Sequence, residues 1–187
     1  LDLCEILQLS INSAESNFKT SATWPPPSPQ IELEINEPLP LIKGDKKILV
    51  SAFDWLIQAI ANTASMMSKD YVQTIRLETK AQNNDKMHPG INLIIKTNEQ
   101  RWTAQGISEL FNFMTKTEVH TSVHLIESLL IIYHHSGEFL IHDDPPLGPS
   151  FQIWLPLDPE EIPAKDLGKS YGFDSIFRQI EDTALGT

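Results

Sequence analysis

The chain has one cysteine, Cys4, which excludes an internal disulfide, and it has no pair of CxxC motifs to hold structural zinc. Nothing beside Cys4 would lower its thiol pKa, so it reads as a packed core residue and not as a nucleophile. Positive charge is scarce: 14 Lys and Arg stand against 25 Asp and Glu, a net charge of −11. Such a chain repels a phosphate backbone unless a basic patch intervenes. The closest basic pair, Lys46 and Lys47, reads as the solvated first turn of a helix, so nucleic acid is not an expected partner. Long apolar runs are missing too. The longest, Leu129 to Tyr133, is far too short to span a bilayer, and no charged-then-apolar leader opens the chain. A cytoplasmic setting without membrane contact is expected, and the missing initiator Met suggests a piece of a longer protein. No GxSxG, HExxH, P-loop or EF-hand pattern occurs, and no internal repeat.

What is present is the composition of an ordinary globular domain, 41% hydrophobic and 21% charged over 187 residues. Leu3, Ile6, Leu7, Ile11, Ala14 and Phe18 lie on one helical stripe. The run Trp24-Pro25-Pro26-Pro27-Ser28-Pro29 is a stiff connector. Ile31, Leu33 and Ile35 alternate with Glu32 and Glu34 as in a half-buried strand. Asp45 is a good N-cap, and apolar residues from Ile48 to Met67 then recur at helical spacing. Tyr71–Thr79 and Ile91–Thr97 read as a hairpin around Asn83-Asn84-Asp85 and His88-Pro89-Gly90. Ile107–Met114 predicts a short helix and Val123–Tyr133 a thoroughly buried one. Glu138–His142 and Phe151–Leu155 predict two further strands. Residues 1–157 are expected to form the domain, and 158–187 an acidic, turn-rich tail with a short amphipathic helix around Phe173–Ile180.

Two groups of residues resemble the ATP-binding domain of two-component sensor histidine kinases. His134-His135-Ser136-Gly137-Glu138-Phe139-Leu140-Ile141, then Gly148, Ser150, Phe151 and Leu155-Pro156, follow the family's HGGxI, GxGS and F-x-x-x-LP pattern. Upstream, Leu41-Ile42-Lys43-Gly44-Asp45 and the helix behind it resemble the lead into the family's N box. The order of elements also matches over residues 1–157. The resemblance implies an α+β fold, a two-layer α/β sandwich whose mixed sheet is covered by helices on one face.

The positions on which the family's chemistry depends mostly fail to carry over. Matching Gln58-Ala59-Ile60 and Thr63 to the N box puts Gln58 where the family's asparagine helps bind magnesium; counting without gaps from Asp45 puts Ala59 there. With Gln58, the residues Asp54, Gln58 and Asn62 form an i, i+4, i+8 polar stripe that would be the vestigial cofactor-binding face, or a stripe that simply faces water. The first glycine box, DxGxG, reads Thr97-Asn98-Glu99-Gln100-Arg101, or has Trp102 for its aspartate if it ends at Gly106-Ile107. The second, GxGLGL, reads His120-Thr121-Ser122-Val123-His124-Leu125, without a glycine to let backbone N–H groups reach phosphates. No phosphoacceptor histidine followed by an acidic residue occurs in residues 1–20.

Other constellations have simpler explanations. His120 and His124, with His134 or His135, invite a metal reading, but the third ligand is unassigned and the family pattern already explains His135. His142-Asp143-Asp144 reads as a strand end, and Trp55, Trp102 and Trp154 as core or pocket-filling residues. The expected function is thus a histidine kinase-like pseudo-ATPase, leaning away from enzyme activity, without cofactor or metal, that docks other protein domains of a signalling system. The rivals are a divergent kinase domain that still binds ATP and magnesium, and a module holding another small molecule in the old pocket.

Overall fold

The computed structural model describes residues 1–20, 28–35, 37–65, 74–85, 87–97, 119–144 and 148–162. The helices expected at 107–114 and 173–180, Trp102 and most of the 158–187 tail lie outside the described residues. In chain order the elements are α1 (Leu3–Thr20), β1 (Gln30–Ile35), α2 (Lys46–Ser65), β2 (Thr74–Ala81), β3 (Gly90–Thr97), α3 (Val119–His134), β4 (Glu138–Asp144) and β5 (Gly148–Pro156), then a 3-10 turn at Pro159–Glu161.

The five strands make one mixed sheet in the order β1-β2-β3-β5-β4. Among the described strands only β1 pairs in parallel, placing Ile31 beside Ile75 and Leu33 beside Leu77. The other three ladders are antiparallel. Period-two alternation sends Ile75, Leu77, Ile91, Leu93, Ile95, Phe151, Ile153 and Leu155 to one face, where they are buried. There they meet the stripes of the three described helices, including Leu7, Ile11, Phe53, Ile57, Leu125 and Leu129, in one continuous core. Burying a side chain of this size contributes about 1.5–3 kcal/mol. The opposite face carries Arg76, Glu78 and Lys96, and the Lys96 ammonium pairs with Glu78 at 2.8 Å.

The expected two-layer α+β sandwich is therefore present. Strand ends differ from the sequence reading. Asp143-Asp144 and Gly148-Pro149, read as connector, extend the β4–β5 ladder, pairing Asp143 with Pro149 and Asp144 with Gly148. Proline and aspartate disfavour strands locally, but pairing between neighbouring strands overrides propensity. Cys4 departs from its reading as well: it is half-exposed, and burial first, then the charge and hydrogen bonding of Asp2, push its thiol pKa up.

The α2 helix sits centrally in the helical layer. Asp45 caps it, its Oδ1 accepting the N–H groups of Lys47 at 2.9 Å and Ile48 at 3.1 Å. Lys46, in the first turn, pairs with Glu5 of α1 at 2.6 Å. Ser10 donates to the Val50 carbonyl at 3.0 Å, so α1 and α2 run side by side in the same direction. The α3 helix runs the opposite way, its end beside Asp45 and its start toward the end of α2.

Candidate functional site

The two sequence groups that carried the resemblance meet in space. Gly44 and Asp45, ahead of α2, lie against His135 at the end of α3. His135 accepts the Asp45 N–H through Nε2 at 3.2 Å, while its Nδ1 sits 2.8 Å from the Ile131 carbonyl. A carbonyl can only accept, so Nδ1 carries the proton and the ring is the neutral Nδ1–H tautomer in this arrangement. A Cβ on Gly44 would stand 2.7 Å from His135 Cδ2, which explains the absence of a side chain there. Beyond His135, Ser136 holds φ 56° while Gly137 N–H closes the helix end on the Ile132 carbonyl at 2.9 Å.

Farther along the α2–α3 contact, Trp55 stacks on His124 with ring centroids 5.5 Å apart. One residue earlier, Asp54 turns toward α1. Ser13 Oγ donates to its Oδ2 at 2.8 Å and Gln58 Nε2 donates to its Oδ1 at 2.6 Å. Asp54 is only 9% exposed, so both carboxylate oxygens are engaged in a largely dry contact between helices. Gln58 is half-buried beside it. Asn62 stands one turn on in the same helix, its side chain outside the described set. The structure thus brings together Asp54 and Gln58 of the expected stripe and adds Ser13, which sequence reasoning did not include. Ser13 carried no signal of its own, because an i+3 serine on an amphipathic helix usually faces water.

Of the first-box positions only Thr97 is described; it closes β3 and is buried. All second-box positions, 120–125, lie within α3, which begins at Val119. Beyond the first turn a helix commits its N–H groups to carbonyls four residues back. Of the described side chains there, Leu125 is in the core and His124 is under Trp55. Both ring nitrogens of His135 are directed at backbone, and His134 meets Tyr133 edge-on at 6.0 Å. Among the described residues no three His, Cys, Asp or Glu side chains gather as a metal cluster would require.

The loop ahead of α2 is fastened to the end of β5. Lys43 N–H donates to the Leu157 carbonyl at 2.8 Å, and the Lys43 ammonium pairs with Asp158. The hydrogen bond from Lys43, helped by the Glu160 N–H and the lysine charge, holds the Asp158 carboxyl below its ordinary 3.8. The same contact raises Lys43 above its ordinary 10.5.

No protein-family model matches the sequence, and neither does any curated protein. Solved structures do match the fold. The mycobacterial sensor histidine kinase MprB superposes with a TM-score of 0.61 at 16% identity, over 85% of this chain and 97% of that one. Two nucleotide-free structures of the catalytic domain of histidine kinase ThkA superpose at 0.60, with 13% and 15% identity, each over 87% of this chain and 97% of theirs. The fold is that of histidine kinase catalytic domains.

Proposed function

We propose that this chain is a histidine kinase-like domain within a larger sensor protein, in which nucleotide chemistry has been lost and the fold serves to dock and relay signals to other protein domains. Core and pocket residues are largely different sets, so a fold persists when its chemistry goes. The observation that carries the reading is the makeup of positions 120–125. No glycine stands there, and α3, which begins at Val119, already runs through them, so N–H groups past its first turn are spent on the helix. Asp54 and Gln58 add to it, because the Asp54 carboxylate is engaged by Ser13 and Gln58 and so is ill placed to help hold a magnesium ion. These features argue against a site for ATP with magnesium.

Thermal unfolding in millimolar ATP and magnesium tests this. A ligand at 100 times its Kd adds about 2.7 kcal/mol of stability, a shift of a few degrees for a domain of this size. No shift is expected. A nucleotide-dependent rise that disappears in Gln58→Ala would overturn the proposal in favour of a divergent, nucleotide-binding kinase domain.

A further inference from the structure

We draw no further inference here: the strongest candidate, the groove between the end of α1 and β1 lined by Glu15, Phe18, Lys19, Gln30, Ile31 and Glu32, carries nothing because nothing in the structure shows what covers it.

Discussion

His135 and Asp45 lie far apart in the chain, yet the imidazole accepts the backbone N–H that begins the cap of α2, at 3.2 Å. The ring is packed on Gly44 at a distance that leaves no room for a methyl group. Gly44→Ala should therefore destabilise the domain by about 1–3 kcal/mol, the usual cost of overpacking. In a His135→Ala background the penalty should largely disappear, because the obstructing ring is gone. Urea unfolding of the two single variants and the double variant measures this; an undiminished penalty would show that the ring is not what a side chain at position 44 meets.

Asp54 joins α1 to α2 through Ser13 while holding Gln58. Asp54→Ala leaves a serine hydroxyl and a glutamine amide without their acceptor and should cost about 1–3 kcal/mol. Ser13→Ala removes one hydrogen bond and should cost about 1 kcal/mol. The two effects should be less than additive in the double variant. Strict additivity in chemical denaturation would dissolve the coupling.

Much of the fold could be read from the sequence because it rests on periodicity. The stripe from Ile48 through Ala61 and the alternation of Ile31 and Leu33 each specify an element and its buried side. The lead into α2 and the end of α3 were legible as matching parts of a family pattern, and Gly44, Asp45 and His135 do meet. The site was harder to read. A polar stripe on a helix states that one face is hydrophilic, but it does not name the neighbour. Asp54 faces α1 because α1 lies alongside α2, a tertiary arrangement that the stripe itself does not state.

Ser136 occupies a position where the family pattern has glycine, and it holds φ 56°. A residue with a Cβ pays about 1–2 kcal/mol for that conformation. Its hydroxyl recovers little, donating to the Pro159 carbonyl at a long 3.3 Å. Glycine is freer in the unfolded chain, which offsets part of the gain. Ser136→Gly should stabilise the domain by about 0.5–1 kcal/mol. A lower midpoint in thermal or urea unfolding would mean that the hydroxyl matters more than the strain.

The pair between Lys43 and Asp158 predicts a pH dependence. The Asp158 carboxyl has its folded pKa depressed, so its contribution is present above the ordinary aspartate value of 3.8 and is lost as pH falls through the lower, folded value. On the alkaline side Lys43, raised above 10.5, keeps the pair until it loses its proton. Comparing the wild type with Asp158→Asn across pH, the stability gap should be flat near neutrality and close progressively below about pH 4. A gap independent of pH down to acid would show that the charge on Asp158 is not what fastens this loop.

The order of the strands also bears on how the chain assembles. Strands β2–β3 and β4–β5 are hairpins that can form from nearby residues, whereas the β3–β5 seam joins Ile95 to Phe151 and Leu93 to Ile153 across a long intervening stretch of chain. Closing so wide a loop costs entropy before any contact compensates for it. The seam is thus the natural bottleneck of folding: two hairpins with their helices wait on one encounter. Truncating Leu93 or Ile153 would slow that encounter, whereas a change in β1, added at the edge, would mainly hasten the chain's departure from the folded state.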